Sequence, residues 1–465
     1  MTDRSARPRI VWRMAKGLLA TAALGLPYAM TGPATMPRAA AETGARNFSD
    51  PPGAAVIFVE EAPAAEPAPT PADSSPELTL EELEQLALRH HPALVRAEAL
   101  VGAAQGRQIQ AGLPNNPSIG YDGQQIGSGG RAEQHGIFVE QEFRLGGKRQ
   151  LDEAVAARET ALARGDWETR RRQVLTEVHI AFHEAAVAMR NVELADSLVK
   201  ISSEIERMLA ALYQAQEVTR AAWLESRLEA ESARLMEKKA EERYAAARRK
   251  LAATVGVAEL PPQPLRPEPS DLSEPEDFEA VWRRIRVSSP ELLRAGREVE
   301  RARAVLRRAC AEAVPNLTVQ GLVNVIDNGA EGTTNGGISV SLPVPIFNRN
   351  QGAIMQARYE LSAAESAVRE LELELRGRLA EVYARYRQAW TEAERYRSSI
   401  LPTAEEVLNL TRKSYQAGEA SFADLLLAER SYVQKQAEYL EALLRFRTAE
   451  AEMAGDLVTL SLASP

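Results

Sequence analysis

Hydrophobic positions change their spacing several times along the chain, and each change marks a new element. From Thr79 to about Ala111 leucines recur at helical intervals, and prolines follow at Pro114 and Pro117. Proline lacks an amide hydrogen and cannot continue a helix, so the pattern predicts a helix that ends before them. Short segments in which apolar and polar residues alternate come next, and a period of two predicts β-strands.

The alternating segments predict two strands in each half of the chain, at about 117–126, 136–146, 317–326 and 337–347. In the last segment Ile338 and Val340 share one face and Ser339 takes the other, after a turn expected from Asn328 to Gly336. A polar face opposite an aliphatic face is typical of a barrel wall with water inside and lipid outside. A soluble sheet with one buried face gives the same alternation, so the strands alone leave both interpretations open.

Very long helices follow each strand pair. The chain has neither Gly nor Pro from Asp166 to Val255, and apolar residues from Val174 to Val199 recur at alternating spacings of four and three. This heptad seam predicts coiled-coil helices, at about 148–256, 350–416 and 419–458. A helix from Lys148 to about Leu212 would be roughly 97 Å long, and would therefore project from any compact domain.

An internal repeat organises the chain. The segment 136–150 aligns with 337–351 at an offset of 201 residues, and Tyr213 aligns with Tyr415 at 202. An offset that drifts by so few residues predicts two copies of one unit, 77–260 and 278–460, joined by a Pro-rich linker at 261–277.

The N-terminal residues predict export. Residues 1–41 contain basic side chains, then an apolar stretch from Gly17 to Met30, then small residues at 39–41, which is the order of a signal peptide. A merely basic, Ala-rich tail is the alternative. Residues 42–76 are rich in Pro and Ala and are expected to form a flexible leader, because they cannot bury enough apolar surface.

Composition excludes several classes of function. A net charge of −9 offers no footprint for nucleic acid, and the single cysteine, Cys310, excludes a disulfide framework and multi-cysteine metal sites. We find no phosphate-binding loop, nucleophile elbow or catalytic triad, so we predict a protein that is not an enzyme and has no cofactor. No apolar run is long enough for a spanning helix.

The number of strands predicts an assembly. Four strands cannot close a membrane barrel, which needs about eight. A barrel shared between copies on a cyclic axis removes the unpaired edges, and three copies would supply about twelve strands. The long helices would then continue below the barrel as a hollow cylinder.

The duplicated pattern, together with an Asn-Pro step before the first strand and the sequence YQAGEASFADLL at 415–426, resembles the TolC-like outer-membrane efflux proteins. The resemblance covers about residues 78–460. It implies a mainly α-helical fold with a β-barrel portion: a homotrimer whose twelve-stranded barrel lies in outer-membrane lipid above a periplasmic helical tunnel. It also implies a passive duct that docks a periplasmic adaptor protein and an inner-membrane pump.

The ends of the second strand in each copy indicate a branch of this family. The sequences EFRLGGKR at 142–149 and LPVPIFNRNQG at 342–352 are similar to the heavy-metal resistance branch, which serves cobalt, zinc and cadmium exporters of the resistance-nodulation-division type. The outer-membrane component of a drug or protein exporter (type I secretion) is the alternative. A periplasmic adaptor or a structural coiled-coil protein is a further one, although neither explains two strand pairs.

The resemblance also implies functional residues at the helix turns. Tyr415 and Gly418 match the family's turn at the tunnel tip, with Tyr213 at the equivalent place in the first copy. Gln216 replaces the glycine there, so that turn is expected to be less sharp. Asp424 matches an acidic ring at the tunnel entrance, which would attract cations, or it could be an ordinary solvated helix residue. The family's second acidic position is Leu427 here.

A histidine pair is a weak metal candidate. His179 and His183 lie four residues apart on one predicted helix, so both rings could reach one zinc ion. Helical histidines more often cap or pack, and the sequence HIAFHE lacks the glutamate that a metalloprotease needs after its first histidine.

Overall fold

The structure is a computed structural model that describes residues 77–126, 132–266, 272–326 and 333–458. The predicted signal peptide and leader lie outside the described residues, as do residues 267–271 of the predicted linker and residues 327–332, which include 328–332 of the predicted turn. The described elements are the following, in chain order: α1 Leu80–His90, α2 Pro92–Gly112, β1 Ser118–Ile126, β2 Ala132–Phe143, α3 Lys148–Gln214, α4 Arg220–Val255, α5 Phe278–Ser288, α6 Pro290–Ala311, β3 Leu317–Ile326, β4 Thr333–Ser341, α7 Gln351–Arg395, a π-helical turn Tyr396–Ile400, α8 Leu401–Gln416 and α9 Phe422–Ala454.

The first predicted helix is two helices, α1 and α2. The break falls at His91, whose extended backbone is the conformation that a residue before proline prefers, and Pro92 then opens α2. His91 Nδ1 accepts the Ala93 N–H at 3.2 Å and caps the new helix. The second copy repeats this break with Ser289 and Pro290, between α5 and α6.

The four strands form one antiparallel sheet in the order β1-β2-β3-β4. The central pair, β2 and β3, joins the two copies of the repeat from Gln134↔Ile326 to Phe143↔Leu317. In the part of the chain that the structure describes, β1 and β4 are the outer strands, and each has one edge without a strand partner.

The two faces of the sheet differ in chemistry. Ile119, Val139 and Ile338 fall in one row of the register through Gly321, and their side chains are largely exposed. The adjacent row, on the opposite face, contains Ser118, Glu140, Gln320 and Ser339. The alternation predicted from the sequence is therefore present across all four strands.

Two predicted strand ranges are wrong at their ends. β4 was expected at 337–347, but it ends at Ser341 because Pro343 and Pro345 have no N–H to donate to a neighbouring strand. It also begins earlier, at Thr333, so the predicted turn to Gly336 is too long. β2 covers Ala132–Phe143 rather than 136–146, and the chain then turns through Gly146 and Gly147, both with positive φ.

Each copy of the repeat has its own hydrophobic core. Val174 and Val178 of α3 are buried in the first core, and Leu375 and Leu379 of α7 are buried at the same repeat offset in the second. α3 packs against α4 and α2, whereas α7 packs against α9 and α6. The α3 helix also contacts α6 and α9, so it links the two copies.

The helix predicted over 350–416 is interrupted by the π-helical turn. The carbonyl of Tyr396 accepts the N–H of Leu401, five residues later, and Pro402 follows in the first turn of α8. Buried positions before this turn keep the offset of 201, whereas the tip residues Tyr213 and Tyr415 differ by 202. The turn thus accommodates one extra residue in the second copy, as π-bulges do.

The last predicted helix, 419–458, is shorter in the structure. α9 begins at Phe422 and ends at Ala454, and the chain then turns through Asp456 and Leu457, both with positive φ. Among the described residues, none of these helices combines the length and the apolar character that a membrane-spanning helix requires.

Candidate functional site: the two helix-hairpin tips

The two long helical hairpins, α3–α4 and α8–α9, turn in the same way. At the first tip the N–H of Ala215 donates to Ala211 at 3.0 Å, and the N–H of Glu217 donates to Leu212 at 2.9 Å. The second tip has the matching bonds from Ala417 to Lys413 at 3.0 Å and from Glu419 to Ser414 at 2.8 Å. This is the hydrogen-bond pattern of a Schellman helix end, which satisfies the last carbonyl groups of a helix.

The residue after each helix end takes a left-handed conformation. Gly418 has φ of 76°, as expected for glycine at this position, and Gln216 has φ of 61°. The expectation that the first turn is less sharp is therefore wrong. The hydrogen bonds of the helix end hold Gln216 in a conformation that costs a residue with a Cβ atom free energy.

Asp424 lies in the first turn of α9 and belongs to a capping box. Its carboxylate accepts the Ser421 N–H at 2.9 Å and the Ser421 hydroxyl at 2.6 Å, while Ser421 Oγ accepts the Asp424 N–H at 3.2 Å. Hydrogen bonds from the side chain and backbone of Ser421 lower the pKa of Asp424. The side chain is exposed, so a fixed negative charge is presented to solvent beside the second tip.

The first tip has a cap without this charge. Thr219 Oγ1 accepts the N–H of Ala222 at 3.3 Å, as Ser421 does in the second copy, but Ala222 offers no carboxylate in return. Leu427, where the family resemblance would place a second acid, is exposed. The tips are therefore alike in backbone and different in charge.

The tip tyrosines have different surroundings. Tyr213 stacks on Trp223, with ring centroids 5.3 Å apart and ring planes 6° from parallel, so the two rings tie α3 to α4. Tyr415 packs against the small core of Leu408, Leu425 and Ala428, which ties α8 to α9.

Sequence reasoning missed a buried acid near the second tip. Glu429 follows Ala428 on α9 and is only 4% exposed, with Arg412 of α8 at 3.6 Å from Glu429 Oε1. Within the described residues Glu429 Oε2 has no hydrogen-bond partner. Burial raises the pKa of Glu429, and the attraction of Arg412 offsets this only in part. Glu429 lies four residues after the buried Leu425, on the same helix face, and this spacing could have indicated its burial from the sequence.

A second polar cluster lies where the sheet meets the helices. Asn115 and Asn316 both donate to Glu142, and the fully buried Lys148 ammonium binds Asn316 Oδ1 at 2.8 Å and Glu312 Oε1 at 3.3 Å. Glu142 and Glu140 both belong to the polar face of the sheet. This cluster joins β2 and the loops before β1 and β3 to the first turn of α3.

The histidine pair does not gather a set of metal ligands. His179 Nε2 is hydrogen-bonded to Glu84 Oε1, and His183 lies edge-on to Phe182 in a cleft of about 570 Å³. Burial, with contributions from Arg447 and His179, lowers the pKa of His183 to about 4, so its ring is neutral at neutral pH. No cluster of three or more His, Cys, Asp or Glu side chains suited to a metal ion occurs in the described part of the chain.

The sheet, the paired long helices and the repeated hairpin tips define the TolC-like class of channel folds. Residues 281–455 match the model of the family described as outer membrane efflux protein. The matched residues cover most of the second copy of the repeat, so this part of the chain is similar to outer membrane efflux proteins.

Two individual proteins are similar to this chain over longer ranges. The chain is 25% identical over 389 residues to the cobalt-zinc-cadmium resistance protein CzcC of Cupriavidus metallidurans, covering 80% of this chain and 88% of CzcC. It is 26% identical over 295 residues to the alkaline protease secretion protein AprF of Pseudomonas aeruginosa, covering 60% of each.

Two solved structures share the fold. The transmembrane channel protein CusC has a TM-score of 0.63 at 16% identity, over 81% of this chain and 91% of CusC. The outer membrane protein VceC of Vibrio cholerae has a TM-score of 0.62 at 18% identity, over 82% of this chain and 97% of VceC.

Proposed function

We propose that three copies of this chain form a passive exit duct in the outer membrane, coupled to a periplasmic adaptor protein and an inner-membrane pump of the resistance-nodulation-division type. The observation that carries the proposal is the four-stranded sheet with one apolar face and one polar face, whose two edges have no strand partner among the described residues. Three such sheets joined edge to edge give twelve strands with apolar side chains toward lipid and polar side chains toward water.

The transported substance passes through the duct without chemical change. Efflux channels form a transport family, and the sequence offers no constellation of nucleophile, base and stabilising groups. The energy for export therefore comes from the pump, and the outer-membrane component needs no cofactor.

We infer that the exported substances are heavy-metal cations. The similarity to CzcC over most of both chains supports this, and so do the sequences at the ends of the second strands. Asp424 supplies a supporting electrostatic argument, because three symmetry-related carboxylates at a tunnel entrance attract cations and repel anions. The acids Glu140 and Glu142 on the polar face of the sheet act in the same sense.

A protein exporter is the second candidate. The similarity to AprF, whose name refers to protease secretion, supports this candidate. The match to AprF is shorter than the match to CzcC, 295 residues against 389. The chain itself would have the same architecture in both systems, and the pump and adaptor would differ.

Ion selectivity in planar bilayers tests the duct and the role of Asp424. Under a salt gradient the reversal potential of the wild type is expected to show a preference for cations. Asp424→Asn keeps an oxygen for the cap but removes the charge, and this variant is expected to have a weaker preference for cations. Ser421→Ala is the matched control, because it removes the cap hydroxyl and keeps the charge. An unchanged reversal potential in Asp424→Asn would refute the ring, and absence of channels would refute the duct.

Metal sensitivity separates the two candidate cargoes. Deletion of the chain in its own host is expected to lower the tolerated concentrations of cobalt, zinc or cadmium, and the plasmid-borne wild type to restore them. Unchanged metal tolerance together with loss of a secreted protein would favour the protein exporter.

A further inference from the structure

One row of the polar face of the sheet has no polar side chain. Its members are paired across all four strands, and they are Gly120, Phe138, Leu322 and Gly337. The rows on either side of it contain acidic, amide and hydroxyl side chains. Among the strand residues that the structure describes, Phe138 is the one aromatic residue on this face. In the proposed barrel, three copies of this ring therefore surround the passage.

The Phe138 ring lies along the sheet. A strand side chain ordinarily stands roughly perpendicular to its sheet. The ring of Phe138 instead reaches across to β1, where a Cβ atom at position 120 would overlap its Cζ atom and lie 2.6 Å from its Cε1 atom. The far end of the ring is therefore close to the backbone of β1, and the residue is half-buried.

Gly120 makes room for the ring because it has no side chain. A separation of 2.6 Å is well inside the ordinary carbon contact of about 3.5–4.0 Å, so an alanine at position 120 is incompatible with the present position of the ring. The overlapping atoms belong to the far end of a side chain that can rotate about χ1, and such a rotation costs less than a shift of the strand. Leu322 lies on the other side of Phe138 in the row, so we expect the displaced ring to turn away from the wall.

The next row toward the strand turns shows the same arrangement. Gly136 is paired with Asn324, and a Cβ atom at Gly136 would overlap Asn324 Oδ1 and lie 3.0 Å from Cδ1 of Leu322. Side chains of β3 thus lean over β2, as Phe138 of β2 leans over β1. Gly337, at the other end of the apolar row, differs: apart from its own neighbours in the chain, no described atom lies within 4 Å of the place of its Cβ.

We propose that Phe138, held against the wall by the gap at Gly120, determines how bulky a solute the barrel admits. With the ring on the wall the passage is wide at this level, whereas three rings turned inward would narrow it from three sides at one height. The proposal rests on the proposed function, because the polar face lines a passage only if the sheets close into a barrel. Phe138 is then a residue that determines the size selectivity of the duct, and Gly120 is the residue that positions it.

Labelling of a cysteine inside the barrel, on intact cells, tests the width at this row. Gln320 lies in the adjacent row on the side of the helices. In a Cys310→Ser background, a reagent that enters from the strand turns reaches Gln320→Cys only after it passes Phe138. The probe is the largest maleimide polymer that still labels this parent and cannot cross the outer membrane elsewhere. A small maleimide measures the reactivity of the thiol itself.

Gly120→Ala is expected to slow the polymer several-fold and to leave the small maleimide unchanged, because three rings then stand in the passage. Adding Phe138→Ala to this variant is expected to restore the polymer rate. Gly337→Ala is the matched control, since it adds the same methyl group to the same row where the space is open. Phe138→Ala alone should leave the polymer rate nearly unchanged, and it tests the position of the ring even if Gly120→Ala does not assemble.

The outcomes separate the role of Phe138 from the duct. Equal polymer rates in Gly120→Ala and Gly337→Ala, or no restoration by Phe138→Ala, would overturn the proposal and leave the duct standing. A several-fold faster polymer reaction in Phe138→Ala alone, or a parent that only the small maleimide labels, would overturn it as well, because the wild-type passage would then already be narrow. A thiol at position 320 that reacts only with lipid-soluble reagents would overturn both.

Discussion

Asn115 and Asn316 occupy equivalent positions in the two copies of the repeat and bind opposite oxygens of one carboxylate. Asn115 Nδ2 donates to Glu142 Oε2 and Asn316 Nδ2 donates to Glu142 Oε1, both at 2.7 Å. The repeat places Pro343 at the position equivalent to Glu142, so the second copy has no carboxylate that could form the same pair of hydrogen bonds. Glu142 joins the two Asn-containing loops at the point where the sheet meets the tunnel helices.

Replacement of Glu142 is expected to weaken the junction between the copies. Glu142→Ala removes two hydrogen bonds to a charged acceptor at a partly wet site, and we expect a loss of about 1–3 kcal/mol in unfolding free energy. Glu142→Gln keeps one acceptor and should lose less. Thermal unfolding of the detergent-solubilised protein measures both, with Glu140→Gln, one row along the same face, as control. Equal unfolding midpoints for Glu142→Ala and this control would contradict a stabilising role for the two hydrogen bonds to Glu142.

The two tip turns predict glycine effects of opposite sign. Gln216→Gly should stabilise the α3–α4 tip, since the left-handed conformation costs a residue with a Cβ atom about 1 kcal/mol relative to glycine. Gly418→Ala should destabilise the α8–α9 tip by a similar amount. Amide hydrogen exchange at Glu217 and Glu419, whose N–H groups close the two turns, reports each change. Protection that changes in the same direction in both variants would be inconsistent with the shared turn geometry.

The cap of the first tip can be given the carboxylate that the cap of the second tip has. Ala222→Asp should complete a capping box with Thr219 and stabilise α4 by about 0.5–1 kcal/mol. If the carboxylates at the entrance set cation preference, this variant should also shift the reversal potential further toward cations. Ala222→Asn supplies an oxygen without the charge. The electrostatic argument fails if the Asp and Asn variants have the same reversal potential.

Because of Glu429, we expect the α8–α9 hairpin to be more stable in mild acid than at neutral pH. The pKa of Glu429 is raised in the folded protein, so the protonated form is favoured on folding and the charged form is disfavoured. The cost of the charged form is therefore fully present above the folded pKa and disappears as the pH falls below the ordinary value of 4.5.

Glu429→Gln tests this dependence. The variant should have a higher unfolding midpoint than the wild type at neutral pH, and the difference should shrink as the pH is lowered toward 4.5. The exposed Glu405→Gln serves as control. A variant less stable than the wild type at neutral pH would show that the ion pair with Arg412 outweighs the burial of the carboxylate.

The sequence predicts much of this fold because the repeat and the helical periodicity are long-range signals. The predicted fold class is confirmed, and β3 covers the predicted range at 317–326. The segment after Ser341 was misassigned because Val344 and Ile346 keep the alternating pattern while Pro343 and Pro345 remove the donors that a strand requires. Alternation reports the direction of side chains and carries no information on the backbone hydrogen bonds.

Other features depend on contacts that periodicity cannot show. The change of offset from 201 to 202 indicates one inserted residue, but only the structure shows that a π-helical turn at Tyr396–Ile400 holds it. The sequence indicates the place of Asp424 in the turn motif, whereas its hydrogen bonds to Ser421 are a matter of local geometry. Glu429 was missed because the sequence of α9 alone does not distinguish a buried acid from a solvent-exposed one. Its burial becomes visible only when α8, which carries Arg412, is packed against α9.

The native mass of the protein extracted from outer membranes in detergent tests the central claim most directly. The account predicts a complex of three chains that sediments with bound detergent and leaves no population of free monomer. A monomer that is soluble in water without detergent would contradict the shared barrel, and with it the proposed duct.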